Sequence, residues 1–309
     1  MGKTKFWLNW SIDCEATQHS VNNAELGRKG ASGFADILDE YGMKATFFMI
    51  PGDAESDPDL YRSFIERGHE IGLHLHPGDE GFFEFAGVMG PDEQYELISK
   101  AKNRWAKAIG FEPTCFCMGY GSANDYTYGV LEDLGFKYGQ VEIAGRRLAA
   151  TASVWEGAPL TIHYANRWNR LLPGTMDFIE IPHTVDTESY MWGGKHPQDL
   201  RVELVDAKNH WYTMYKAMIR QKDDDSIPIK IIRGVTHNTF DYSDPKNFRR
   251  ETLIGMIDSM HSIMENADCE FETATLGTIA EEYRKVAPKV DPKELLKLDR
   301  RGYGGKKTV

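Results

Sequence analysis

Gly68-His69-Glu70-Ile71-Gly72-Leu73-His74-Leu75-His76-Pro77 is a short apolar run that ends in two histidines and a proline. Residues two apart on an extended strand project to the same side, so a strand here aims the imidazoles of His74 and His76 at one point. Pro77 and Gly78 then stop it. Upstream, Ser11-Ile12-Asp13-Cys14-Glu15 closes another apolar stretch and sets two carboxylates at the same spacing. Two strand ends, each presenting a pair of ligand-type side chains, point to a metal-dependent hydrolase.

Outward from these two strands the chain alternates short apolar runs with amphipathic stretches, the pattern of an α/β protein with a parallel sheet. Strands are expected over 6–13, 45–50, 70–76, 114–117, 137–141, 178–182, 227–235 and 270–273. Helices are expected over 24–41, 59–67, 92–109, 124–134, 198–222, 248–265 and 276–284. Asp57 reads as the N-cap and Pro58 as the first residue of the 59–67 helix. Residues 143–177 are rich in Arg, Gly, Pro and aromatics and show no clean period. Seven or eight β/α units in one domain predict a distorted (β/α)7-8 barrel, whose chemistry sits at the C-terminal ends of the strands. Asp13, Glu15, His74, His76, His183 and His237 all fall at such ends. The barrel is expected to span 1–285, with 286–309 a basic, mobile tail.

Composition narrows the function. A formal net charge of −11 argues against a nucleic-acid binder, which needs clustered Lys and Arg. The last stretch runs the other way, with nine Lys/Arg against three Asp/Glu over 284–309, as a solvated tail does. No segment reads as a signal peptide or a membrane span. Cys14, Cys115, Cys117 and Cys269 form no disulfide or zinc-knuckle pattern and are expected to be buried thiols. A cytoplasmic location, with no membrane or nucleic-acid partner, is the resulting expectation.

The chemistry follows from the two pairs. His74 and His76 supply imidazole, and zinc suits imidazole plus carboxylate with one position left open. Of Asp13 and Glu15, one would complete the metal site and the other would stay off it to take a proton from an attacking water. His183 is placed to line the pocket. Asp241, four residues after His237, is placed to orient it. Trp155, Trp168 and Trp192 are candidates to stack on sugar rings.

Five segments, spread over about 6–285 and in the family's order, resemble the polysaccharide deacetylases. They are Ser11–Glu15, Ala45-Thr46-Phe47-Phe48, Gly68–His74, Phe116-Cys117-Met118-Gly119-Tyr120-Gly121 and Val235-Thr236-His237. The resemblance implies a metal-dependent amide hydrolase that removes the N-acetyl group of an amino sugar or oligosaccharide. It implies Asp13 as base, Glu15 and His74 as ligands and His237 as the acid for the leaving amine. It also implies an oxyanion donor in the backbone near Gly119 and Tyr120. The chain departs from the family pattern in three places, the first being Cys14 and Glu15 in place of the commoner Asp-Gly. Gly78 stands where the second metal histidine is usual, and His76 is its natural substitute. Cys117 stands where an arginine usually positions the base, a task expected to pass to Arg233 or another arginine. Two other readings share this scaffold: hydrolysis of a small cyclic amide or ureide, and non-catalytic sugar binding.

Overall fold

The computed structural model describes residues 3–295. Its strands are β1 Lys5–Cys14, β2 Ala45–Met49, β3 Glu70–Leu75, β4 Cys115–Met118, β5 Tyr138–Gln140, β6 Arg147–Leu148, β7 Ser153–Val154, β8 His163–Tyr164, β9 Ile179–Glu180, β10 Val185–Met191, β11 His196–Asp199, β12 Lys230–His237 and β13 Glu270–Thr273. The helices are α1 Ala24–Glu40, α2 Pro51–Ser56, α3 Pro58–Glu66, α4 Pro91–Ile109, α5 Thr127–Asp133, α6 Ala207–Lys222, α7 Phe248–Asn266, α8 Leu276–Val286 and α9 Pro292–Leu295. Asp57 caps α3 as expected, accepting from the Leu60 amide.

The main sheet runs β12-β1-β2-β3-β4-β5-β9-β8, parallel except where β8 turns back on β9. β13 shares an edge of β1 with β2, pairing with residues 5–8 while β2 takes 10–14. The sheet curls into a distorted barrel that does not close strand to strand. At the free edge of β12 a short segment fills the seam: Val235 N donates to Leu200 O and Val202 N to Val235 O, both at 3.0 Å. That pairing corrects the expected 198–222 helix. Gln198 and Asp199 end β11, residues 200–202 lie along β12, and the helix starts only after Asp206, whose carboxylate accepts from Asn209 N. The unpatterned segment 143–177 contributes the small β6–β7 hairpin and β8, and a second hairpin, β10–β11, follows β9.

Period-two alternation sorts each central strand between two apolar clusters. From β1, Phe6, Leu8, Trp10 and Ile12 join the helix-side core, whereas Trp7 joins the lumen cluster. Leu73 and Leu75 of β3 face the helices in the same way, which leaves His74 to the lumen. Leu276, Ile279, Ala280 and Tyr283 of α8 plug the lumen at its N-terminal end. Above that plug sits a polar layer, Ser11, Gln140 and Arg233, and above it the strand ends that carry the candidate site. Gly30 and Gly33 of α1 let the chain after β12 pass against the helix. A Cβ at Gly30 would lie 2.3 Å from Asn238 O, and one at Gly33 2.3 Å from Ser243 N. This close approach brings Asn238 to the end of β1. The expected tail begins inside the fold, since Lys289 pairs with Asp177; the rest, 296–309, lies outside the described residues.

A carboxyl pair is buried beside β5. Glu180 accepts from Val141 N and Glu142 N at 2.9 and 3.1 Å, while both oxygens of Glu142 lack a hydrogen-bond partner among the described residues. Burial, and then the charge of Glu180, push the Glu142 carboxyl well above its ordinary 4.5, so Glu142 is the member that keeps its proton. A raised folded-state pKa contributes stability that is present below 4.5 and lost as pH rises. Glu142→Gln is therefore expected to gain stability over wild type as pH increases, by up to about 1.4 kcal/mol per pH unit. Thermal melts from pH 4.5 to 8 check this; a constant difference across that range contradicts it.

Candidate metal centre

Three ligand-type side chains converge at the mouth. Glu15 Oε2 lies 3.3 Å from His74 Nε2 and 2.9 Å from His76 Nε2. Donor atoms about 2.0–2.1 Å from a tetrahedral ion sit about 3.3 Å from one another, so the spacing fits a small divalent cation. The other ring nitrogens are already committed. His74 Nδ1 is 3.2 Å from Cys117 O, and His76 Nδ1 is 2.7 Å from Glu84 Oε1. Both acceptors require a proton on Nδ1, which turns both Nε2 atoms toward Glu15 as ligands should be turned.

The electrostatics favour positive charge between these side chains. Burial alone would raise the Glu15 carboxyl, but the rings of His237, His74 and His76 outweigh it and hold it well below the ordinary range. Burial would likewise lower His76, yet Glu15 and Glu84 raise it to about 10. A cation bound there would compete with protons for these groups. Glu15 is held by its backbone: Glu15 N and Ala16 N donate to Asn238 Oδ1 at 2.8 and 3.1 Å. Asn238 Nδ2 in turn donates to Asp53 at 2.7 Å, and Asp53 also accepts from the Thr17 amide and hydroxyl. Asp53, Glu84 and Asn238 escaped the sequence reading, because none lies on a patterned segment near its partner.

Asp13 and His237 flank this cluster as register partners across β1 and β12. The Cys117 thiol donates to Asp13 Oδ1 at 3.6 Å. His237 Nε2 is 3.9 Å from Glu15 Oε1. Its Nδ1 donates to Glu203, whose second oxygen accepts from Thr236 Oγ1 at 3.1 Å. Burial would lower His237, but Glu203 and Glu15 outweigh it and raise the ring to about 9.

Several expectations are corrected here. Asp241 does not orient His237: its carboxylate accepts from the Ser243 amide and hydroxyl, and Glu203, brought in by the segment along β12, does that work. Arg233 makes no hydrogen bond to Asp13. It lies deeper, donating to Ile181 O at 2.9 Å, Ser11 Oγ at 2.8 Å and Gln140. The three tryptophans stand off the cavity. Trp155 is buried and donates to Gly121 O, Trp168 is 80% exposed, and Trp192 stacks on His196.

A cavity of about 320 Å³ opens above the centre and contains Asp13, Glu15, His74, His76, Tyr120, His183 and His237 on its walls. Its aromatic residue is Tyr120, in the Gly119–Gly121 turn, whose ring packs edge-on against His76 at 5.1 Å. Tyr120 has φ 58, a left-handed conformation that a non-glycine residue rarely adopts. Gly119 fits because a Cβ there would lie 2.6 Å from Leu75 O. His183 is buried, and its Nε2 accepts from Gln140 Nε2 at 2.5 Å.

Residues 26–139 match the sequence profile of the family described as polysaccharide deacetylase. Over that segment the chain is similar to the polysaccharide deacetylases. Over 145 residues it is 26% identical to the peptidoglycan-N-acetylglucosamine deacetylase PgdA of Listeria monocytogenes, which covers 42% of this chain and 28% of the relative. The chain thus spans little more than a quarter of the length of that curated relative. Two structures assigned to polysaccharide deacetylases share the fold. One, from Mycobacterium smegmatis, has a TM-score of 0.59 at 16% identity, covering 94% of each chain. The other, from Pseudomonas aeruginosa PAO1, scores 0.60 at 13% identity, covering 92% of this chain and 93% of its own. The PuuE allantoinase also shares it, with a TM-score of 0.58 at 14% identity over 92% of each chain.

The carboxylate behind His76 gives a direct test. Partners of this kind, behind a ligating histidine, are worth about 10–100-fold in metal affinity. Glu84→Ala is expected to weaken divalent-metal binding by about that factor, measured by competition with a chromophoric chelator. Unchanged affinity removes Glu84 from the site.

Proposed function

We propose that this chain hydrolyses a small amide, in the first instance the N-acetyl group of an amino sugar, with a divalent cation, zinc by preference, held by Glu15, His74 and His76. The observation that carries the proposal is the placement of Asp13 and His237 as register partners on either side of that triad. A cation held there would polarise the amide carbonyl and make an attacking water more acidic. Asp13 takes the proton from that water. His237, kept as imidazolium by Glu203, gives a proton to the departing nitrogen. Backbone donors of the Gly119–Tyr120 turn are assigned to the developing oxyanion. His183 and Gln140 wall the substrate side of the cavity.

The family profile and PgdA, a peptidoglycan-N-acetylglucosamine deacetylase by name, support a carbohydrate amide. The cavity is at the small end of ligand pockets, which supports one sugar-sized substrate rather than a long polymer. The same size, with the fold of an allantoinase, supports a cyclic ureide as the second reading. A cytoplasmic setting belongs to the proposal, supported by four buried unpaired thiols.

Metal analysis of the purified protein, with acetate release from N-acetylglucosamine, N-acetylglucosamine 6-phosphate and N-acetylmuramate and hydrolytic ring opening of allantoin run in parallel, tests it. Acetate release supports the first reading and ring opening the second. Bound metal with neither activity sinks both and leaves a sugar-binding protein, a role that Cys117 in place of the base-positioning arginine would suit.

A further inference from the structure

The cavity above the metal centre also contains two arginines with no part in the chemistry just assigned, Arg146 and Arg201. Arg146 comes from the loop before β6 and is 3% exposed. Its guanidinium makes one hydrogen bond, Nη1 to Tyr120 O at 2.7 Å; its Nε is shut from solvent without a partner, and it has no carboxylate partner among the described residues. Arg201 comes from the segment along β12. Its Nη2 reaches Asp199 Oδ2 at 3.2 Å, a carboxylate it shares with His196, and its Nε is also buried and unpartnered. A buried cation without its full set of acceptors is costly unless something else supplies them.

The two arginines are near neighbours. Burial and then the charge of Arg201 lower Arg146 to about 10. The cavity therefore has two charge characters. Glu15, Asp13 and the histidines supply one. Arg146 and Arg201 supply the other: both line the same space, and Asp199 is the one carboxylate paired to either among the described residues. Guanidinium forks match the paired oxygens of carboxylate and phosphate groups.

We infer that Arg146 and Arg201 form an anion subsite, so that the substrate is an amide bearing a carboxylate or phosphate group. This rests on the hydrolase reading for the position of the amide, but not for the existence of the subsite. The arginines bind and orient the anionic group while the amide lies over Glu15, His74 and His76, which makes them specificity-determining rather than catalytic. A neutral N-acetyl sugar leaves both guanidinium groups unpaired and is a poor substrate.

Two measurements separate this from the hydrolase reading. Binding of inorganic phosphate and of malonate is measured by calorimetry on metal-loaded Asp13→Asn protein, which keeps every proposed metal ligand. The same titrations follow with Arg146→Gln or Arg201→Gln added. Any binding to the metal is common to all, so the difference reports the arginines. The expected result is at least a tenfold loss of affinity in either arginine variant, with partial recovery in Arg146→Lys and melting temperatures confirming folded protein. Affinities that stay within twofold, or no binding by the parent protein, overturn the subsite. In the second measurement the wild-type protein is offered N-acetylmuramate, N-acetylglucosamine 6-phosphate and N-acetylglucosamine. Preference for the first or second over the neutral sugar by tenfold or more identifies a carboxylate or a phosphate, and equal turnover of all three overturns the subsite. Acetate from none of them removes the amino-sugar reading, while the calorimetry still decides the subsite.

Discussion

Asp13→Asn is expected to lower kcat by about 10²–10⁴-fold, the range for loss of a general base, while the protein keeps its metal. Asp13 lies at the end of β1, is 7% exposed, and faces the Cys117 thiol rather than the Glu15 carboxylate that meets both histidines. Asn preserves shape and one acceptor but cannot take a proton at neutral pH. The signature is a loss in kcat with full metal stoichiometry and a modest change in KM. A variant that loses its metal would instead make Asp13 a ligand, an arrangement the Asp13, His74 and Cys117 cluster makes geometrically open. Rate and metal content on one sample tell the two apart.

Glu15→Gln and His76→Ala form the second large expectation, with the opposite pattern. Glu15 is the side chain that both Nε2 atoms approach, so its loss leaves two neutral imidazoles and no anionic ligand. Metal retention through dialysis is expected to fail in both variants, and activity to fall with it by more than the 10–100-fold assigned to outer-sphere partners. Val235→Ala, which removes two methyl groups from the same wall, is the control and is expected to retain metal. His76→Ala protein that keeps a full complement of metal would remove His76 from the ligand set and leave Glu84 without a role. In wild type, metal binding is expected to release protons, since Glu15 and Glu84 outweigh burial and raise His76 to about 10.

The strand ends were legible in advance because period-two patterning is local. Alternation in β1 and β3 sets which side Asp13, Glu15, His74 and His76 take, before any neighbour is known. The same argument failed for residues 198–206. Their path follows the open edge of β12, and nothing within the segment announces that edge. Asp241 is the partner the sequence suggests for His237 for a related reason. It is near His237 in the chain, whereas Glu203 arrives 34 positions away. The tryptophans misled because aromatic content describes what a loop can pack, not the direction in which it faces.

Residue order by itself determined the α/β alternation, the lumen-facing pairs at two strand ends and the chemistry those side chains can perform, since backbone geometry ties each to nearest neighbours in the chain. Tertiary structure alone decided which carboxylates stand behind His76 and His237, that Asn238 holds the Glu15 turn, and that Arg146 and Arg201 share the cavity with the candidate metal centre. Apart from the short step from His76 to Glu84, those contacts join segments separated by tens to hundreds of residues. They exist only once the strand order of the incompletely closed barrel is set and the two small hairpins have folded.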